Sequence, residues 1–90
     1  MPKAPRYIAT APNGQTFTRN SDRTYTHAVI ARNALVYTPL TRSWTPTDDD
    51  TFFAMGFCGR RDLADKLAGD CRSRREFRDV LVVPVTDTRA

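Results

Sequence analysis

Phe52-Phe53-Ala54-Met55-Gly56-Phe57-Cys58-Gly59, continued by Arg60 to Ser73 and then by Phe77 to Val85, is the stretch that decides the fold class. Residues 52–57 form a short, aromatic-rich apolar run, as in a buried strand. Gly59 ends it. Leu63, Ala64, Leu67, Ala68 and Cys71 then recur at helical spacing, which predicts a helix with one apolar face that fades near Ser73. Asp62, three residues after Gly59, makes a weak capping box and suits the positive helix end. Asp62–Lys66 and Asp70–Arg74 are acid-first i,i+4 pairs on the solvent side. Val80-Leu81-Val82-Val83 is the continuous apolar run of a strand inside a sheet, and Pro84 should limit its ladder. The segment therefore reads strand, helix, strand.

Upstream, Tyr7-Ile8-Ala9-Thr10 and Thr16-Phe17-Thr18 flank Pro12-Asn13-Gly14. Asn-Gly accepts the positive φ of a tight hairpin, through a loop of two or three residues. Asn20 to Arg23 reads as a second turn. Thr24 to Tyr37 reads as one long strand, rich in β-branched and aromatic residues, with an amphipathic helix from Ser21 as the competing pattern. Tyr25, His27, Val29 and Ala31 share one of its faces and Ala28 and Ile30 the other, with a bulge or break at Asn33. Thr38 to Thr51, with Pro39, Pro46, Trp44 and Asp48-Asp49-Asp50, reads as a long irregular loop, a kind of segment often tied to function. The expected architecture is one α+β domain over residues 1–90. It has a mainly antiparallel sheet of about five strands, one helix on one face and the order β-β-β-loop-β-α-β.

Composition narrows the chemistry. The 90 residues carry a net charge of +4, 40% hydrophobic residues and 27% charged ones, the profile of a folded domain. No apolar run reaches the roughly 20 residues of a membrane helix, and residues 1–6 lack the apolar core of a secretory leader. The expected compartment is the cytoplasm. There the two cysteines, Cys58 and Cys71, read as buried thiols, and with the lone His27 they fall short of a zinc set. Three consecutive aspartates lack the alternating ligands and bend glycine of a calcium loop, so no metal or other cofactor is expected. One histidine, one glutamate (Glu76) and no glycine-rich phosphate loop supply no catalytic pattern, and a Cys58–His27 pair has no support in the spacing.

Binding is the better-founded expectation. Twelve arginines stand against two lysines, a bias toward planar contacts with phosphates or carboxylates that a GC-rich coding sequence would also produce. Arg60 and Arg61 open the helix, while Arg72, Arg74, Arg75 and Arg78 follow its end, where cations complement the dipole or form a phosphate patch. Trp44, in a loop of threonines and prolines, either caps the core or awaits a partner, since tryptophan and arginine are enriched at interface hot spots. The candidate contact set is Trp44, Asp48, Asp49, Asp50, Arg60, Arg61, Arg72, Arg74, Arg75 and Arg78.

Residues 23–29, Arg-Thr-Tyr-Thr-His-Ala-Val, and residues 56–64, Gly-Phe-Cys-Gly-Arg-Arg-Asp-Leu-Ala, resemble a pattern in small uncharacterised proteins of bacteriophages and prophages. The resemblance implies a non-enzymatic accessory protein of the kind that binds and blocks host defence complexes, as anti-CRISPR proteins do. It assigns no functional residue. The expectation is a steric inhibitor of a host protein or ribonucleoprotein, such as a CRISPR effector. The alternative is a small basic nucleic-acid-binding protein. Arginines clustered on one face would favour nucleic acid, and scattered arginines a protein partner.

Overall fold

A computed structural model describes residues 6–88, and residues 1–5, read above for a leader, lie outside it. The chain is α+β but strand-heavy. β1 (Tyr7–Thr10), β2 (Thr16–Arg19), β3 (His27–Asn33), β4 (Leu35–Thr38), β5 (Ser43–Pro46), β6 (Phe52–Cys58), α1 (Arg61–Arg72) and β7 (Phe77–Asp87) follow in order. Five strands form one antiparallel sheet in the order β2-β1-β7-β3-β6, and β4 pairs only with β5.

The β1–β2 hairpin closes through a three-residue loop. Ala11 donates its N–H to the Gln15 carbonyl at 2.8 Å, Gly14 donates to the Ala11 carbonyl at 3.0 Å, and Gly14 takes φ +92°. β3 lies near the centre, and Ala28, Val29, Ile30 and Ala31 are all fully buried. Their alternation feeds two separate cores. Val29 and Ala31 pack with Ala64, Ala68, Cys71 and Val80 under α1, while Ala28 and Ile30 pack with Ala9, Ala11, Phe52 and Val83 on the other side. No helix covers that second side; the sheet curls over it. Gln15, at the tip of the first hairpin, reaches the opposite edge strand. Its Nε2 donates to the Phe52 carbonyl at 3.2 Å and its Oε1 accepts the Phe52 N–H at 2.7 Å. One amide thereby takes the place of a strand neighbour and ties the two sheet edges together.

Four sequence expectations need correction. The span 24–37 is not one strand. It breaks at Ala34, beside Asn33, and the chain leaves the main sheet there. Tyr25 precedes β3 and meets Tyr7 and Phe57 edge-on, with centroids 5.3 and 5.8 Å away, so it belongs with the curled side and not with Val29. Pro84 does not end β7. It faces the last β3 partner, His27, and pairing with β1 starts at the next residue, Val85, so the missing N–H falls at a change of neighbours. The span 38–51 is not an irregular loop but contains β5 and hence a second hairpin.

The helix forms close to the expected bounds, with Ala64, Ala68 and Cys71 buried, Leu67 packed against them and Leu63 exposed. No side chain caps it at Arg60. Asp62 meets Arg60 and Asp65 meets Arg61, exposed pairs worth little.

Two glycines give a paired test. A Cβ at Gly59 would stand 2.8 Å from the Thr24 carbonyl oxygen, a backbone atom that cannot swing aside, whereas a Cβ at Gly69 meets nothing within 4 Å. Gly59→Ala should lower stability by about 1–3 kcal/mol. Gly69→Ala, inside α1, should raise it by about 0.5–1 kcal/mol. Denaturant melts of the two variants read both signs.

Candidate functional site

The β4–β5 hairpin stands away from both cores as an arm. Backbone hydrogen bonds fasten its root. Ala34 and Leu35 donate to the Glu76 carbonyl at 2.8 and 3.3 Å, and Thr47 donates to the Ala34 carbonyl at 3.1 Å. Val36, Tyr37, Trp44 and Thr45 supply β-formers. Pro39-Leu40-Thr41-Arg42 supply the turn, with Arg42 at φ 51°. Because the Thr47 N–H points to β4, the nitrogen of Pro46 points outward, where no donor is needed. Tyr37 and Trp44 are directly opposed, with centroids 5.5 Å apart, and share a face with the opposed pair Leu35 and Pro46. Trp44 is 52% exposed, Tyr37 49% and Leu40, at the tip, 97%. Exposed apolar groups gathered on one projecting ribbon are the mark of a contact surface. Between Leu35 and Pro46 the only charge is Arg42.

The aspartate triplet lies at the arm's root and is partly committed to the fold. Arg78 donates to the carbonyls of Asn33 and Asp49 at 3.2 and 2.9 Å and to the Asp79 carboxylate at 2.8 Å, and it lies 3.6 Å from Asp50. Arg32 donates to the Asp50 carbonyl at 3.0 Å and to Asp79 at 3.2 Å, with its guanidinium 4.1 Å from the Phe52 ring centroid. Asp79 occupies a bulge in β7 at φ 52°, a conformation aspartate tolerates better than most side chains. The Thr51 N–H holds the Asp49 carboxyl below the usual carboxylate range, helped by the Thr51 side chain and by Arg78. A carboxyl with a lowered folded pKa contributes stability above its ordinary titration range, and loses it as pH falls through the lowered value.

The arginines separate. Arg60 and Arg61 sit at the start of α1, each beside an aspartate. Arg72, Arg74 and Arg75 sit at its other end, a helix length of about 18 Å away. Arg72 donates to the Val80 carbonyl at 3.1 Å and Arg74 lies 3.9 Å from Glu76. Arg78 turns away from that group into the clamp on the triplet. The ten candidate residues thus occupy three places: the arm with its root, the helix start and the helix end. Tyr37, Leu40 and Arg42 were absent from the candidate set, as were the clamp residues Arg32 and Asp79. The alternation of Val36-Tyr37 and Trp44-Thr45 around a proline turn was the available signal for the arm.

His27 and Cys58 are cross-strand partners, a juxtaposition that spacing could not show. Burial pushes the Cys58 thiol up, the reverse of nucleophile activation, and the His27 Nδ1 is 2.8 Å from Thr26 Oγ1. Among the described residues, no group of three histidine, cysteine or acidic side chains is placed to hold a metal, and no helix is long and apolar enough to cross a membrane. The chain matches no protein-family model, no curated protein and no solved structure.

Removing the clamp tests its structural role. Arg78→Ala should cost about 1–3 kcal/mol of stability, because the Asn33 carbonyl, in a partly buried bond, and the exposed Asp49 carbonyl both lose a charged donor. Hydrogen exchange should accelerate at Asp49 to Thr51 while the β1–β2 hairpin stays protected. Unchanged exchange in that segment would show that Arg78 does not hold it.

Proposed function

We propose that this chain is a non-enzymatic binding protein that sterically blocks a host protein or ribonucleoprotein complex, with the β4–β5 arm as its principal contact. The exposed Tyr37–Trp44 pair carries the reading. Tryptophan and tyrosine bring large contact area at low conformational cost, and they dominate interface energetics when a partner desolvates them. The arm is also poor in charge, which suits the dry centre of an interface. Charged residues at its root and on α1 would form the polar rim and steer the encounter.

The arginine distribution supports a protein partner over naked nucleic acid. Arg6, Arg32, Arg60, Arg61, Arg74 and Arg78 each lie beside a carboxylate, which competes with any phosphate. The phage-type resemblance adds the setting of host defence, and a CRISPR effector enters as one instance of that class.

Trp44→Ala is the decisive variant. Captured complexes from a bacterial host lysate, prepared with and without nuclease, identify the partner for titration. Affinity should fall by about 2 kcal/mol or more with the fold's melting curve unchanged. Micromolar binding to bare DNA at physiological salt that is insensitive to Trp44→Ala would instead support the nucleic-acid alternative. A salt slope reduced by about two units on removing Arg74 and Arg75 would add to that support.

A further inference from the structure

The main sheet has two unpaired edges, which its curl brings toward each other across a seam. β2 has only β1 beside it, and β6 only β3. Four antiparallel steps separate them, so β2 and β6 run parallel. Each edge turns backbone groups into the seam. The bond from the Ala11 N–H to the Gln15 carbonyl fixes the alternation of the hairpin, and it turns the N–H and C=O of Thr16 and Thr18 away from β1. Phe52 turns both its backbone groups to the Gln15 amide, so those of Ala54, two residues on in the same register, point the same way. Among the described residues, these groups of Thr16, Thr18 and Ala54 have no backbone partner. At Phe52 the Gln15 amide bonds β6 as the peptide group of an intervening strand would, so the edges stand about two strand spacings apart there, roughly 10 Å. Ala54 shows that the opening continues beyond that point. It lies on the same side of β6 as Phe52 and pairs with the fully buried Ile30, yet it is exposed. Across the seam, Phe17 is only partly buried against the same core. The curled side is short of one strand's cover.

We infer that a short extended segment of the partner protein, apolar at alternate positions, enters this gap as a sixth strand antiparallel to both β2 and β6. Outward donors and acceptors on two parallel edges are matched together by an antiparallel strand between them, and the added strand closes an all-antiparallel barrel. Main-chain bonds to Thr16, Thr18 and Ala54 give the affinity. Every second side chain of the guest points inward beside Phe17 and Ala54, which selects apolar groups at those positions. A second copy of this chain has no strand to lend. Every strand within residues 6–88 is already paired, and the strands of the arm run into Pro39 and Pro46. Residues 1–5 carry prolines at positions 2 and 5, which have no N–H to donate to a ladder. The inference rests on the partner being a protein, as proposed above, but not on the arm being the contact.

Synthetic octapeptides, capped at both ends and flanked by lysines, serve as probes against the full chain. They carry threonine at every second position and valine, leucine or phenylalanine at the others. In an NMR titration, at least one of the three should give saturable shifts at the amides of Thr16, Thr18 and Ala54, and hydrogen exchange there should slow. Proline in place of the threonines removes the N–H groups that one edge needs and should weaken binding by about tenfold or more. Ala54→Leu fills the opening from within and should weaken binding by about as much, with the melting temperature kept or raised. Thr18→Pro, which removes an outward N–H at a sheet edge, gives a second variant read in the same way. Trp44→Ala should leave peptide binding unchanged. The absence of saturable shifts with all three peptides at millimolar concentration overturns the inference, and so does equal binding of the proline peptides. Neither result touches the Trp44→Ala test of partner binding. Peptide binding that is lost with Trp44→Ala would place the peptide on the arm, which overturns the seam as its site while supporting the arm as a contact.

Discussion

Four consecutive residues, Ala28 to Ala31, are closed off from solvent completely, and the rest of the fold follows from that. A strand buried on both faces needs a cover on each side, yet a chain of this length has one helix to give. The helix takes the side of Val29 and Ala31. The side of Ala28 and Ile30 is left to the sheet itself, which curls until the first hairpin approaches the far edge strand. Curling leaves a seam between two unlike edges. The Gln15 amide closes its end by bonding both backbone groups of Phe52, which gives one exposed-looking polar residue a structural role that composition would never assign.

The same constraint explains which parts of the fold were legible in the sequence. Strand–helix–strand from Phe52 to Val85 was readable because burial there follows a single period: helical for Ala64, Ala68 and Cys71, continuous for Val80 to Val83. The first hairpin was readable because Asn13-Gly14 specifies its turn chemically. The arm was not. It buries neither face, so its alternation carries no hydrophobic contrast against a core, and its two prolines mimic a loop. Pro46 is compatible with a strand only because β5 is an edge, and being an edge is a property of the whole sheet, not of the local sequence. Pro84 misled in the same way, since its tolerance depends on β3 and β1 meeting β7 on either side of it.

Charge is divided between two tasks, and the division bears on function. Arg32 and Arg78 converge on Asp79 and on the carbonyls of Asp49 and Asp50, which fixes the chain that leaves the arm for β6. A triplet that looks in sequence like one acidic patch is therefore uneven. Asp50 answers Arg78, Asp49 turns back on Thr51, and Asp48 keeps its charge for solvent or a partner. A like unevenness holds among the arginines. Basic composition alone would suggest a phosphate-binding surface, but Arg60, Arg61 and Arg74 each lie beside a local carboxylate, and the arginines divide between the two ends of α1.

What remains unexplained by stability is the arm. The two cores, the seam and the clamp account for every strand of the main sheet, and none of them uses Tyr37, Leu40 or Trp44. Leaving such side chains in water gives up the burial that would make them favourable, roughly 1.5–3 kcal/mol for a large apolar group. It also presents a sticky surface to every other protein present. Both edges of the ribbon end on prolines, so the chain guards against indiscriminate strand pairing while keeping the aromatic face open. Guarded edges beside an unguarded face are hard to reconcile with a decorative loop. They leave Tyr37 and Trp44 as the face through which the proposed partner would be met.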